Sequence, residues 1–324
     1  MNKMLEKILL TGAFGNVGQR TLKELLTHNY EVSCFDLKNE NNIETQEELL
    51  KEMDFETFWG DLTNPEDINY AVKGVDCIIH LAAIIPPLSE SNPELAKNVN
   101  IGGTRNLIDA AKALPEKPQF IMASSISVFG PTMHKEPPVT LDYPLNPSNT
   151  YSNTKVEAEK IVRESGLDWL ILRLSAVSVE EIQLEFDPIL YEIPLEQRIE
   201  FVASRDCAIA FANAVSLDEK GRIFLIGGGV ESQVLQREYL EKFFDAFGLP
   251  MLPDKAFKQP KDKDDWYNID WIDTTESQNM LNYQNETFDE YIARMKKKFR
   301  WQRLGIKIIS PLVKRTLVKK SPYT

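Results

Sequence analysis

Residues 11–18 read TGAFGNVG, directly after the apolar run KILL at 7–10. Set between a strand and a helix, three glycines spaced three apart restrict the fold severely. Gly12 permits a tight turn, Gly15 lets backbone approach a pyrophosphate, and Gly18 lets the next helix pack close to a sheet. That helix, Asn16 to His28, has apolar spacing through Val17, Leu22, Leu25 and Leu26. Its N-terminus offers unpaired N–H groups and a positive dipole end to phosphates. A second strand, YEVSCFD at 30–36, ends on Asp36. A carboxylate there accepts both hydroxyls of an adenosine ribose and repels a 2′-phosphate, which favours NAD(H) over NADP(H). Lys38, close by, softens that preference. Asp61 ends a third strand, FETFWGD at 55–61. It suits a contact to the adenine amino group or a cap on the following helix, and the two are compatible.

The rest of the first half keeps this rhythm. A polar insert at 38–54, with a helical piece at EELLKEM, separates strands two and three, and Pro65 opens a short helix. VDCIIHLAA (75–83), QFIMASS (119–125) and WLILRLSAV (169–177) read as strands four to six, with helices predicted over 92–114 and 151–165. Strands alternating with helices at this spacing predict an α/β chain, a Rossmann-type doubly wound parallel sheet. Beyond residue 178 the pattern loosens into a helix near 206–217, a strand at 222–228 that returns to the sheet, and helices at 233–247 and 287–299. The expected organisation is a dinucleotide-binding domain at 1–178, a smaller mixed substrate-binding region at 179–290, and a tail at 291–324.

Of the ten tyrosines, only Tyr151 has lysine at the fourth following position, in YSNTK. One helical turn puts Tyr151 and Lys155 on the same face. An unperturbed tyrosine, with a pKa of about 10, is too weak a base near neutrality. A neighbouring ammonium and a positive nicotinamide ring favour the phenolate. The pair therefore suits hydride exchange at nicotinamide C4 coupled to proton transfer at a carbinol oxygen.

TGAFGNVG, GDL at 60–62, HLAA at 80–83, VNIGGTRNL at 99–107, SSISVFG at 124–130, YSNTK and LRLS at 172–175 share an order and approximate spacing. In this the chain resembles the extended short-chain dehydrogenase/reductase superfamily, in its NAD-dependent epimerase/dehydratase branch, over roughly residues 5–230. The resemblance implies NAD(H) as cofactor and a catalytic set of Ser125, Tyr151 and Lys155, with Ser124 as the alternative serine. Lys155 would also hold the nicotinamide ribose, beside Tyr151. For the rest of the cofactor it implies Gly12, Phe14, Gly15, Asn16, Val17 and Gly18 at the phosphates and Asp36, Asp61 and Leu62 at the adenosine. Leu81, Ala82 and Ala83 would line it, and Asn100 would support the backbone of the active site. Arg173 would lie by the cofactor-binding strand, and Asp206 would organise the substrate region. A homodimer through helices 92–114 and 151–165 is also implied.

The chain departs from nucleotide-sugar members after the sixth strand. LRLSAVSVEEIQ lacks their Asn and Tyr-Gly-Pro, and their arginine appears only as a shifted Arg198. This weakens UDP-sugar recognition and leaves open a small-molecule substrate with a secondary alcohol or ketone. SSISVFG lacks the extra acidic residues of sugar dehydratases, so dehydration is the least favoured reaction. A nucleotide-sugar 4-epimerase and a non-catalytic NAD(H)-sensing protein of the same fold are the other readings.

Composition matters chiefly at the C-terminus. From Tyr291 to Thr324 there are eleven Lys or Arg and no Asp or Glu, although the chain has a net charge of −12. The remainder holds 26 basic and 49 acidic residues, a balance of −23. Such a tail suits an anionic membrane surface through 296–320, its own acidic body, or a dimer partner. Pro311 is expected to interrupt any single helix there. The acidic body argues against nucleic acid. Cys34, Cys77 and Cys207 lie far apart in apolar contexts and read as buried thiols of a cytoplasmic protein, which the basic tail would bring to a membrane surface if lipid is its partner. His28, His80 and His134 lack metal-ligand spacing, so no metal is expected.

Overall fold

Strands covered on both faces read as continuous apolar runs, and this chain folds accordingly. The structure is a computed structural model, and it describes residues 6–179 and 188–324. The first half runs β1 (Lys7–Thr11), α1 (Asn16–Thr27), β2 (Glu31–Asp36), α2 (Glu40–Leu49), β3 (Glu56–Trp59), α3 (Pro65–Ala71) and β4 (Cys77–His80). Two short helices, α4 (Leu88–Ser91) and α5 (Pro93–Lys97), a π-helical turn at Asn98–Gly103 and α6 (Thr104–Ala113) lead into β5 (Gln119–Ser125). Then come α7 (Thr150–Arg163), β6 (Trp169–Leu174), β7 (Ala176–Val177), α8 (Ile189–Glu192), β8 (Arg198–Val202), α9 (Ser204–Val215) and β9 (Arg222–Ile226). The chain closes with β10 (Gln233–Leu235), α10 (Gln236–Phe247), α11 (Thr275–Leu281), α12 (Phe288–Lys298) and α13 (Arg300–Lys320).

Seven strands form one parallel sheet in the order β3-β2-β1-β4-β5-β6-β9. Leu22 and Leu25 of α1 and Phe211 of α9 pack on one face, and Ile68, Leu107 and Val162 of α3, α6 and α7 pack on the other. The strand order reverses between β1 and β4, and the crevice at their carboxyl ends is where such sheets take ligands.

Four expected elements change on folding. The helix expected over 92–114 is interrupted by the π-helical turn. Within it a Cβ on Gly103 would stand 2.8 Å from Leu62 Cβ, so the turn can approach the loop after β3 only at a glycine. The strand expected over 169–177 divides at Ser175: β6 stays in the main sheet, whereas β7 pairs with β8 in a small sheet of order β10-β8-β7. The helix expected from residue 233 begins at Gln236, because Gln233–Leu235 pair antiparallel with β8. The polar insert holds the ten-residue α2, capped by Asn39, whose side chain accepts the Asn42 N–H. The EEIQ stretch at 180–183, part of the departure from nucleotide-sugar members, lies outside the described residues.

Pro311 does not break the tail either. α13 runs through it as one helix of 21 residues. Proline leaves the carbonyl four residues back without its N–H partner. Here that carbonyl belongs to Lys307, and the Ser310 hydroxyl donates to it at 2.9 Å. One side of α13 packs on the body: Leu317 is buried with Tyr191, Leu240 and Phe244, and Ile306 and Val313 lie against the same cluster. Arg303 and Lys296 both pair with Asp245, at 2.7 and 2.8 Å. Gly248 ends α10 with φ +78°, and a Cβ there would stand 2.8 Å from the Arg303 carbonyl oxygen.

Candidate active site

A cavity of about 1400 Å³ opens along the carboxyl ends of β1, β2, β4, β5 and β6. It exceeds the ~300–1,000 Å³ of ordinary small-ligand pockets, so a dinucleotide and a second molecule fit together. At one end Gly12 turns out of β1 with φ +68°, and a Cβ on it would stand 2.7 Å from Ala82 N. A Cβ on Gly18 would stand 2.0 Å from the Gly12 carbonyl oxygen, which is what lets α1 sit against the turn. Gly15 caps α1 with no side-chain bond, and the first turn holds no acid. The helix N-terminus therefore faces the cavity with its N–H groups open, flanked by Asn16 and Val17.

Asp36 lines the adenosine side with Asn42, which the sequence reading did not single out. One Asp36 oxygen accepts the Phe14 N–H at 3.0 Å, and the other accepts from Leu37 N and Asn42 Nδ2 at 2.9 and 3.1 Å. Burial pushes the Asp36 carboxyl up, and these three bonds pull it back. Asp61 and Leu62 also line the cavity, while Lys38 does not. Asp61 Oδ1 accepts the Thr63 N–H, but the cap of α3 is Asn64, so the helix-capping role considered for Asp61 falls to its neighbour.

Two residues assigned to the cofactor, Phe14 and Asn100, are not among the residues that line the cavity. The Phe14 ring is buried against Trp59 and Phe55, at 5.3 and 6.3 Å between centroids, because its apolar bulk packs under β3. Asn100 is 2% exposed and outside the cavity lining. Its amide brackets the backbone of Ile84, accepting from N at 2.7 Å and donating to O at 2.9 Å, and also donates to Thr154 Oγ1 on α7. Asn100 thus fixes the segment after Ala82 and Ala83, both of which line the cavity with Leu81.

A hydrogen-bonded chain runs beneath. Thr104 donates to the Asn100 carbonyl at 2.6 Å, so its oxygen takes the proton on His80 Nε2 at 3.0 Å. His80 Nδ1 then accepts from Thr11 at 2.8 Å. Burial, aided by the Lys155 charge, lowers the His80 pKa to about 3, so the imidazole is neutral.

The other end of the cavity brings together Ser125, Tyr151 and Lys155. Lys155 Nζ donates to the Ala123 carbonyl at 2.9 Å and lies 5.8 Å from the Tyr151 ring centre. Burial pushes the Tyr151 phenol up to about 12, opposed by the Ser125 hydroxyl, and lowers Lys155 to about 8, opposed by Glu159. The lowered tyrosine expected from the Tyr–Lys pair is therefore reversed in the free protein: desolvation outweighs an ammonium that is committed to a carbonyl. Ser125 accepts the Ser127 N–H at 3.2 Å, which leaves its own proton to donate. Ser124 also lines the cavity, but its hydroxyl is engaged on the other side. Its hydroxyl donates at 2.6 Å to buried Glu159, which also holds Arg173 through two bonds of 2.8 and 2.7 Å. Arg173 is thus a structural partner outside the cavity lining. Glu90 of α4, another residue the sequence did not flag, accepts the N–H groups of Thr150 and Tyr151 at 3.0 Å each and holds the start of α7.

The apolar side chains of the lining include Ile84, Ile85, Leu88, Val177 and Val179. Among the described residues no arginine reaches the cavity. Arg198 is locked in a two-bond pair with Asp270, and Asp206 binds the N–H groups of Asn285 and Glu286. Both residues tie C-terminal loops together and lie outside the cavity lining.

The sequence model of the NAD dependent epimerase/dehydratase family matches residues 8–227. The chain belongs to that family. Its cofactor is NAD, and the open end of α1, the two crowded glycines and Asp36 form a cradle that fits it. Among relatives of this family, a 3-beta-hydroxysteroid dehydrogenase of Mycolicibacterium neoaurum is 33% identical over 163 residues, 49% of this chain and 43% of that protein. The human decarboxylating sterol-4-alpha-carboxylate 3-dehydrogenase is 29% identical over 157 residues, 48% of this chain and 39% of that one. The matches thus span about two fifths of those relatives. A short-chain dehydrogenase/reductase superfamily protein from Agrobacterium tumefaciens, solved with bound NAD, superposes with a TM-score of 0.74 at 24% identity, covering 94% of this chain and 99% of that one. A UDP-glucose 4-epimerase from Thermotoga maritima, solved with UDP-glucose, gives 0.75 at 19%, covering 91% and 98%. At these identities the superpositions speak for the fold.

Proposed function

We propose that this enzyme exchanges a hydride between NAD(H) and a secondary alcohol or ketone carried on an apolar body. The observation that carries this reading is the aliphatic lining of Ile84, Ile85, Leu88, Val177 and Val179 in the cavity that holds Tyr151, with no arginine among the described lining residues. A nucleotide sugar brings a pyrophosphate that needs cationic partners, and the one arginine suited to it by sequence, Arg198, is bound to Asp270, while Lys97 of the lining is paired with Glu94 at 3.0 Å. The sterol dehydrogenases among the relatives agree with this chemistry.

In this reading Ser125 donates to the substrate oxygen and Tyr151 exchanges the proton. Bound NAD supplies the hydride acceptor and a positive ring. Lys155 holds the cofactor ribose and adds its charge, opposing the burial that keeps the phenol protonated in the free protein. The lining that would select the substrate comes mainly from Ile84, Ile85, Leu88 and Val177, and among the described residues of 179–290 only Val179 lines the cavity. We further assign the protein to the cytoplasm, where its three buried free thiols suit a reducing compartment, and to a homodimer through the α5–α6 segment and α7. A monomer on gel filtration would remove the dimer from this reading.

The decisive experiment is a turnover panel with NAD+ and NADH, comparing steroid-like and simple secondary alcohols and ketones with UDP- and dTDP-sugars. The apolar substrates should turn over and the nucleotide sugars should not. Conversion of a nucleotide sugar restores the epimerase reading, and NADH binding with no conversion of any class restores the sensor reading. Tyr151→Phe should bind NADH as the native protein does while losing about 10²–10⁴-fold in kcat. A variant with undiminished kcat would take Tyr151 out of the mechanism.

A further inference from the structure

The packed side of α13 leaves its opposite side bare. Trp301, Leu304, Ile308 and Leu312, spaced three, four and four residues apart, share one face. They are 69%, 58%, 83% and 69% exposed. Because Ser310 repairs the helix at Pro311, this stripe is continuous over about 17 Å of helix. Further steps of three and four residues carry the same line to Arg315 and Lys319. These two cations make no ion pair among the described residues, in contrast with Lys296 and Arg303, which bind the body. No acidic residue lies between Tyr291 and Thr324.

We propose that α13 is a docking helix for an anionic phospholipid surface, lying in its plane with the Trp301–Leu312 stripe in the headgroup–acyl boundary. This stands independently of the substrate reading. Only one occupant matches both halves of the stripe. A lipid boundary offers hydrocarbon to Trp301, Leu304, Ile308 and Leu312 and negative headgroups to Arg315 and Lys319. A second copy meeting it about a two-fold axis would set cations against cations. No helix among the described residues is long and apolar enough to cross a membrane, so α13 lies on the surface. The orientation also points the acidic body, with its balance of −23, away from the anionic lipid.

Flotation of the full chain with phosphatidylcholine vesicles, with and without phosphatidylserine, tests this. The protein should float with the anionic vesicles only, and the bound fraction should fall as salt is raised. Arg315→Gln with Lys319→Gln should weaken the partition about thirtyfold. Ile308→Glu with Leu312→Glu should abolish it, while both variants keep native NADH binding and melting. Failure of the native protein to float on anionic vesicles overturns the proposal, as does unchanged flotation of the Ile308→Glu, Leu312→Glu variant. A dimer in solution that Ile308→Glu dissociates would also overturn it, because the stripe would then belong to a second copy.

Discussion

Adjacent Ser124 and Ser125 point to opposite tasks, since neighbours on a strand face opposite sides of the sheet. Ser125→Ala should lower kcat with little change in melting temperature. Ser124→Ala should do the reverse, because it removes a bond to the buried Glu159–Arg173 pair. A steady-state assay alongside a thermal melt separates them, and equal kcat losses would sink the distinction. The pair itself is sensitive to removal of one charge: Glu159→Gln leaves Arg173 buried without its anion, a loss of about 3–5 kcal/mol readable by chemical denaturation. Glu159 was legible in hindsight. It follows Lys155 by one turn, and the lone arginine in the apolar strand LILRL implies a buried partner. Asn42 and Glu90 carried no such signal, because the Asp36 carboxylate and the start of α7 that they bind come within reach only on folding.

Strands and helices with strong periodicity were readable: the six strands of the first half and the helices after β1 and before β6 fall within a few residues of their expected places. β8 was missed because it carries Arg198 and Glu200 in five residues, both tied into C-terminal loops and thus disguised as surface charges. The π-helical turn was missed because its cause, the fit of Gly103 against Leu62 and of Asn100 around Ile84, is tertiary. Propensity alone misjudged Pro311, since a hydroxyl one residue earlier satisfies the freed carbonyl. Gly248 is the corresponding control at element scale. Gly248→Ala must strain a left-handed cap and also push α13 from α10. It should lower the melting temperature by more than the helix-favouring change would raise it, and limited proteolysis should cut first near α13. Unchanged melting would mean that α13 is not held there.

Across the whole molecule, buried ionisable groups join the two sheets to the C-terminal region. Glu200 on β8 accepts the N–H groups of Gly229 and Ile272, and burial raises its pKa from 4.5 to about 8 against those bonds. Between these values the unfolded chain releases the proton while the native state keeps it. Native stability from this group is therefore full below pH 4.5 and is lost as pH rises through about 8. Glu200→Gln should flatten that decline, so its melting temperature gains on the native protein from acid to alkaline pH; a constant difference would contradict a buried proton. The chain of Thr11, His80, Thr104, Asn100 and Thr154 spans β1, β4, the π-helical turn and α7, and its outlets are fixed. Thr104 empties into the Asn100 carbonyl and Thr154 into that of Tyr151. An amide oxygen holds no mobile proton, so the network is a brace with no through traffic. Whatever hydrogen the phenol of Tyr151 gains or gives up has its route through the cavity it lines.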